Sequence, residues 1–552
     1  MDIFEILSDI VGAKYVSKRA VDRLTYSGDM WPRRQILKQA GSLPSEQPLC
    51  VVWPRDADEV CRVLKTCLDT GTPVVPYGAG SGVCGGTVPI YGGVVIDTRR
   101  MDRIGRVDPI ARTVEVDAGV LGHLLEKSLE EQGYTLGHFP SSILCSTVGG
   151  WLATRSAGQL SSKYGKIEDM VLGLEVALPS GDRMTTGCFG AEPTVDWTQV
   201  FVGSEGTLGI FTKALLKVSP VPSARLFRGF AFPDLESGFH ALRRIMQEGV
   251  NPAVLRLYDP VDALVAGRHG PSSKSRRVSG PLDRWFGRFV SPGSGDIPTA
   301  ETGNDDQSAA TNLAWMGVKL DKLVPLVKKA QKNAIQVVLA NPAPINRLAD
   351  LFNRKSILIV GVEGTSDSVV ADMAAVGAIA TEFGAQDLGD GPGLHWYENR
   401  YAVSFKQSKV FGAKAFVDTM EVSTTWTNLL ELYLAVKRTL SPYVFVMAHF
   451  SHAYRDGCSI YFTFTGWRSS PDESLQVYDE LWRAAMKSVQ LHHGTLSHHH
   501  GIGILKLDFM EAEIPGGTAV FRALKKTLDP TGIMNPGKVF RNSGRDYPTT
   551  TK

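Results

Sequence analysis

A chain of 552 residues is too long for a single hydrophobic core, so two or three domains are expected. Hydrophobic residues make up 43% of it and charged residues 21%, the balance of an ordinary globular protein. A net charge of +2 gives no field that would draw the chain to nucleic acid, and a nucleic-acid partner is set aside.

Residues 1–43 read as a helical lead-in, because Ile3, Ile6, Leu7 and Ile10 recur at helical spacing. A β-α-β pattern follows, with a strand over 50–53, an amphipathic helix over 56–69 and a strand over 73–77. Short strands then alternate with glycine-rich turns at 93–97, 113–117, 172–178 and 209–218, up to a break at Pro220-Val-Pro222. Beyond it strand and helix are mixed, with strands at 227–232, 255–258 and 357–362. Residues 268–312 are rich in Ser, Gly, Pro and Asp and read as a long mobile insertion. Lys274, Arg276, Arg277, Arg284 and Arg288 surround Trp285 and Phe286 there, a composition suited to peripheral contact with a bilayer or to a solvated loop. The stretch 528–538 is turn chemistry. The expected organisation is a lead-in at 1–43, a cofactor domain at 44–222, a substrate or cap domain at 223–490, and a C-terminal segment at 491–552 that returns to the site.

Seven cysteines are scattered without CxxC pairs, which reads as reduced thiols in a reducing compartment. The N-terminus shows no secretory pattern and no apolar run nears the ~20 residues of a membrane helix, so a cytoplasmic location is expected.

Pro76-Tyr-Gly-Ala-Gly-Ser-Gly-Val-Cys-Gly-Gly86 follows a predicted strand. Its glycines let the backbone approach a ligand and aim successive amides at one anion, for which a pyrophosphate is the natural occupant. The alternative is a purely structural glycine turn. A dinucleotide turn of the NAD type needs a helix to start inside the motif, and Pro89, Gly92 and Gly93 prevent that here. NAD is therefore disfavoured. Two further clusters, Pro140–Gly150 and Gly203–Gly209, bring hydroxyls and glycines suited to ribityl and phosphate oxygens.

With these segments in this order, the chain resembles the vanillyl-alcohol oxidase/p-cresol methylhydroxylase flavoprotein family from about residue 45 onward. The resemblance implies an α+β fold, with an FAD domain of two small subdomains and a separate α+β cap domain. It implies FAD contacts from Pro76, Gly78, Ala79, Gly80, Ser81, Gly82, Val83, Asp97, Pro140, Ser141, Ser146, Thr147, Gly149, Gly150, Thr154, Ser156, Glu205, Gly206, Gly209 and Ile210. Some relatives tether the flavin through a histidine in the glycine loop. Ala79 and Ser81 offer no such group, so the FAD is expected to be non-covalent.

Ser497-His-His-His-Gly-Ile-Gly503 is the sharpest chemical feature of the sequence. Adjacent imidazoles are poor packing residues, because each needs partners for both nitrogens. An exposed polar turn and a metal site are the alternatives. The flavin-dependent D-2-hydroxyacid dehydrogenases, which the chain also resembles, carry a histidine–glutamate metal site. Tyr461 and His499 stand here in place of its second histidine and its glutamate, so no metal is expected.

Ser146–Trp151, Glu421–Trp426, Cys458–Phe462 and Ser497–Gly501 resemble motifs of the alkyldihydroxyacetonephosphate synthase family. That resemblance implies exchange of the acyl group of acyl-dihydroxyacetone phosphate for a fatty alcohol, with lipid-like substrates and a homodimer. Tyr461 would transfer a proton, with its pKa lowered by its surroundings, while His498, His499 and His500 would orient the leaving carboxylate. Arg256 would bind phosphate or form a structural ion pair, and Glu421 would lie among the substrate contacts. Where that family has a phosphate-binding arginine, ungapped counting finds Phe405-Lys-Gln-Ser408. Gln407 replaces the arginine, and Lys406 is the candidate substitute, a point charge without the bidentate fork. The D-2-hydroxyacid dehydrogenase reading stands as the alternative.

Overall fold

The computed structural model describes residues 2–187, 195–266, 339–352, 355–402 and 410–541. The insertion expected at 268–312, and Lys406 with Gln407, lie outside the described residues.

Strands β1 (Val16–Ser17), β2 (Cys50–Val52), β3 (Val74–Tyr77) and β4 (Val94–Asp97) form one sheet in the order β1-β2-β4-β3. β2, β4 and β3 run parallel, and β1 pairs antiparallel at the edge. The parallel strands are short unbroken apolar runs because both of their faces are covered. Helix Ala57–Asp69 joins β2 to β3. Asp56 caps it by accepting from the Glu59 amide at 2.9 Å, and Val60, Val63, Leu64 and Cys67 bury one face. The lead-in differs from the helical expectation: besides helices Ile3–Val11, Ala20–Thr25 and Pro32–Gln39 it contributes β1 to this sheet. A two-residue strand has no periodicity for a sequence to display.

The next six strands are β5 (Thr113–Asp117), β6 (Tyr134–Thr135), β7 (Val171–Ala177), β8 (Arg183–Thr185), β9 (Ile210–Lys217) and β10 (Ser219–Pro220). β5-β9-β7-β8 make an antiparallel sheet, and β6 pairs with β10. Helix Val148–Thr154 drives Trp151 and Leu152 into the core of this sheet, beside Val114, Val116 and Leu174.

The third sheet has seven antiparallel strands. They are β11 (Ala224–Phe232), β12 (Val254–Tyr258), β13 (Ser356–Gly364), β14 (Gln386–Asp387), β15 (Phe416–Thr425), β16 (Phe445–Ala453) and β17 (Gly457–Gly466). Their order is β14-β11-β13-β12-β16-β17-β15. Helices Leu235–Gln247, Ser366–Glu382, Leu429–Leu440 and Pro471–Leu491 supply its core, where Phe462 and Phe464 are fully buried, each contributing about 2–3 kcal/mol. The strand period of two puts Tyr461 and Thr463 on the opposite face. Glu421, Tyr461 and His449 are register partners across β15, β17 and β16, so they form one row on that face. A bulge between Ser451 and Ala453 leaves His452 at φ 53°, re-aiming its ring.

Candidate functional site

The glycine loop runs from the end of β3, and several of its carbonyls are taken by the protein. Gly82 O accepts from the Met30 amide at 2.9 Å, Cys84 O from the Ile504 amide at 2.9 Å, and Gly86 O from Asn535 Nδ2 at 3.0 Å. The amides of residues 79–86, by contrast, donate to no acceptor among the described residues. A run of amides with their carbonyls turned away is the chemistry of an anion nest, so the loop fits the diphosphate of FAD. Close approach also fixes the glycines: a Cβ on Gly78 would lie 2.3 Å from Thr147 Oγ1. One on Gly503, at φ +54°, would lie 2.2 Å from Cys84 O. The segments at 76–86, 147–150 and 497–503 are thus pressed together.

Most expected cofactor residues lie around this cradle, in several roles. Ala79, Gly80, Ser81 and Val83 are partly exposed in the loop, as is Pro76, whose ring packs where a Gly206 Cβ would fall. Thr147 caps helix Val148–Thr154 by accepting from the Gly150 amide at 3.2 Å, and Gly149 leaves room for Ala118. Thr154 Oγ1 donates to Gly150 O at 3.1 Å, and Ser156 Oγ meets His138 Nε2 at 3.3 Å. Ser146 Oγ is taken by Trp151 Nε1 and Ser142 O, whereas Ser141 is exposed beside buried Pro140. Gly209 packs on Val176, and Ile210 opens β9 with its side chain buried.

Three of the expected ligand contacts are acidic residues engaged by the protein itself. Asp97 is sealed: its carboxylate accepts from Tyr26 Oη at 2.5 Å, from Arg99 Nη2 at 2.6 Å and from Trp53 Nε1 at 3.2 Å. It braces the end of β4 with no lone pair turned outward. Glu205, at φ 50°, accepts from the Ile502 amide at 2.5 Å and the Gly503 amide at 2.8 Å, and so ties the histidine segment to the cofactor domain. Glu421 lies under the histidine run and accepts from its amides.

The braces supplied from far along the chain carry no sequence signature. Asn535 Nδ2 donates to Gly86 O and Glu205 O, and Lys538 Nζ donates to Val88 O at 2.8 Å. Burial brings the Lys538 pKa down to about 7. From the lead-in, Trp31 packs where a Gly85 Cβ would sit, and Asp29 lies beside Gly82.

The histidine run is organised by one carboxylate. Glu421 is fully buried and accepts from Ser497 Oγ at 2.6 Å and from the amides of His498, His499 and His500 at 2.5, 3.2 and 2.8 Å. Lys506 Nζ, also fully buried, stands 3.5 Å away. Burial opposes the charge of Glu421, yet the Lys506 ammonium and then the imidazoles hold its pKa well below the carboxylate range. Hung on this anchor, His500 Nε2 meets Tyr461 Oη at 3.1 Å, and Thr419 Oγ1 lies 3.3 Å from the same phenol, whose single proton can serve only one of them at a time. His498 Nδ1 lies 3.0 Å from His499 Nδ1. His452 stacks on the His498 ring and packs at a tilt against His499, and its Nδ1 is held at 2.7 Å by Ser161 Oγ. The structure therefore brings Tyr461, His498, His499 and His500 together.

Burial sets the protonation of this cluster. It lowers His500 to about 4 and holds His498, His499, His452 and His449 well below the ordinary imidazole value, so all five are neutral near pH 7. Burial also pushes Tyr461 up to about 12, against the lowering expected from sequence. The pair thus rests as a neutral phenol against a neutral imidazole, a donor and an acceptor already in contact. Arg256 Nη2 reaches His449 Nδ1 at 3.3 Å, and its Nε is buried with no partner among the described residues.

Glu421, His498 and His499 could each turn one ligand atom to a common point within 4.8 Å. The carboxylate oxygens, however, already serve three amides, a hydroxyl and an ammonium, and a cation there would face Lys506. The donor set does not suit a metal.

Residues 48–187 match the family described as FAD binding domain, and residues 221–539 match FAD linked oxidases, C-terminal domain. The chain is 28% identical over 539 residues to an alkyldihydroxyacetonephosphate synthase of Trypanosoma brucei brucei, covering 95% of this chain and 78% of that one. It is 26% identical over 551 residues to a glycolate oxidase subunit of Bacillus subtilis (strain 168), covering 99% and 98%. A solved alkyldihydroxyacetonephosphate synthase superposes with a TM-score of 0.71 at 27% identity, over 97% of this chain and 84% of that one. A p-cresol methylhydroxylase with substrate bound superposes at 0.66 and 15% identity over 99% and 97%, a likeness of fold. With the cradle, the α+β architecture and these matches in agreement, the chain belongs to the FAD-linked oxidases and is an FAD-dependent enzyme.

Proposed function

We propose that the chain exchanges the acyl group of an acyl-dihydroxyacetone phosphate for a long-chain alcohol, as the name of its synthase relatives suggests. The observation that carries this reading is the contact of Tyr461 Oη with His500 Nε2 at 3.1 Å, inside a cluster of neutral imidazoles. FAD, when bound, supplies an oxidised ring able to accept either a carbon nucleophile or a hydride. The protein's own groups do the rest. His500 accepts the Tyr461 proton as the phenol takes one from the substrate carbon next to the carbonyl. His498 and His499 donate hydrogen bonds to the leaving carboxylate, and Arg256 meets the anionic end of the substrate. Glu421 holds the three imidazoles in place through their backbone. The apolar substrates motivate two attendant proposals, peripheral contact with a bilayer and a homodimer, tested by vesicle flotation and by sedimentation.

Anaerobic mixing of the FAD-loaded protein with palmitoyl-dihydroxyacetone phosphate and hexadecanol tests the reading. Ether product with released palmitate and an unbleached flavin is expected. Bleaching by glycolate or D-lactate, with no alcohol-for-acyl exchange, would refute it in favour of a dehydrogenase.

A further inference from the structure

Next to Tyr461 lies a second group of polar side chains, two of which, His449 and Asp262, the scheme above leaves without a role. His449, the register partner of Tyr461 on β16, stacks on the phenol with centroids 5.1 Å apart and planes 18° apart. Its Nδ1 is 3.1 Å from Asp262 Oδ2 and 3.3 Å from Arg256 Nη2. His449 and Asp262 are both buried, and Asp262 is itself fixed by its amide, which donates to Asp259 Oδ1 at 2.8 Å. His449 Nε2 has no partner among the described residues, and an Nδ1 proton directed at Asp262 would leave that nitrogen free to accept a proton, although Arg256 meets the same Nδ1. Arg256 works against it. Its guanidinium adds to burial in keeping His449 unprotonated, and its own buried Nε has no acceptor among the described residues. An anion seated on Arg256 would satisfy that Nε and remove the positive field from His449.

We propose that Asp262, His449 and Arg256 form a second proton-handling unit of the site, in which His449 takes the proton of the incoming alcohol once an anionic group of the first substrate has engaged Arg256. This rests on the exchange reaction proposed above and assigns its other half. As the ester's alkyl carbon–oxygen bond breaks, its electron pair leaves with the carboxylate. As the ether bond forms, the alcohol oxygen supplies the pair and its proton passes to His449 Nε2, from which it is later released to solvent. No oxidant or reductant is consumed. His449 is the catalytic residue of this step, and Asp262 is a positioning residue acting through it. Pairing the base with an arginine that needs an anion would keep alcohol from being activated before the first substrate is in place.

Two partial reactions separate the steps. Exchange of labelled palmitate into palmitoyl-dihydroxyacetone phosphate, without alcohol, reports bond breaking and the Tyr461–His500 pair alone. Ether formation from hexadecanol requires the alcohol's proton to be taken. In full-length, FAD-loaded Asp262→Asn and His449→Gln, ether formation is expected to fall at least thirtyfold in kcat with little change in the KM for hexadecanol. Palmitate exchange is expected to stay within threefold of the wild type, and Asp262→Glu is expected to recover part of the ether rate. Equal losses in both partial reactions, or an unchanged ether rate in Asp262→Asn, would overturn the assignment. A wild type that carries out neither partial reaction would overturn the exchange reading itself, a result distinct from either of these.

Discussion

Replacing Glu421 by Gln puts the organisation of the histidine run to a quantitative test. The carboxylate receives three amides, the Ser497 hydroxyl and the Lys506 ammonium, and both charged partners are fully buried. An amide of the same shape loses the charge and turns an NH2 toward groups that are themselves donors. Lys506 is then left as an uncompensated buried cation. Breaking such a pair costs about 3–5 kcal/mol. Urea unfolding of Glu421→Gln followed by far-UV circular dichroism should show a loss of that size at pH 7. The pH dependence carries a sign. The folded pKa of Glu421 is depressed, so its contribution is fully present above the ordinary carboxylate value of about 4.3 and is lost as pH falls through the folded value. The gap between wild type and variant should therefore narrow only in strong acid. In Glu421→Gln/Lys506→Met both charges are gone, and about half of the loss should return. A single variant within 1 kcal/mol of the wild type (roughly the worth of an ordinary hydrogen bond), or a double variant less stable than the single one, would refute the reasoning.

Tyr461→Phe should lower turnover by about 10²–10⁴-fold while the flavin absorbance of the purified protein stays unchanged. Gly78→Ala places a methyl group 2.3 Å from Thr147 Oγ1. The strain, about 1–3 kcal/mol, should weaken FAD retention by roughly ten- to a hundredfold in equilibrium dialysis. Asn535→Ala removes the donor to Gly86 O and Glu205 O, and should likewise yield protein with less bound flavin and a lower Tm. Burial depresses His500 to about 4, so the unfolded chain binds its proton first as pH falls below about 6.5. From His500 alone, stability should drop by about 1.4 kcal/mol per pH unit between those limits. The acid limb of the pH–rate profile should accordingly lie nearer 4 than 6.5.

The strands of the cofactor domain were legible because each is a short apolar run bounded by glycine or proline. β5 fell at 113–117 as expected, β3 and β4 begin one residue later than expected, β7 is displaced by one residue, and β9 is one residue shorter at each end. The histidine run and Tyr461 could be paired in advance only through their resemblance to known motifs, since 37 residues separate Tyr461 from His498. What the sequence concealed has a common cause. Asn535, Lys538, Trp31, Asp262 and Glu421 act through partners far along the chain, and an isolated buried asparagine or acid leaves no periodic trace. The rise in the Tyr461 pKa was hidden likewise, because burial is a property of the assembled sheet. His452 was visible as a residue, but the bulge that turns its ring was not.

The cradle for the diphosphate is braced by Met30 and Trp31 on one side and by Asn535 and Lys538 on the other, groups separated by about five hundred positions of chain. A ribosome that has released only the glycine-loop domain has therefore made a nest without its clasp. On this geometry, firm flavin capture is expected only once the chain has returned across residue 86. Protein made while flavin is scarce would then accumulate as a nearly finished apoenzyme, able to accept the dinucleotide later without refolding its core.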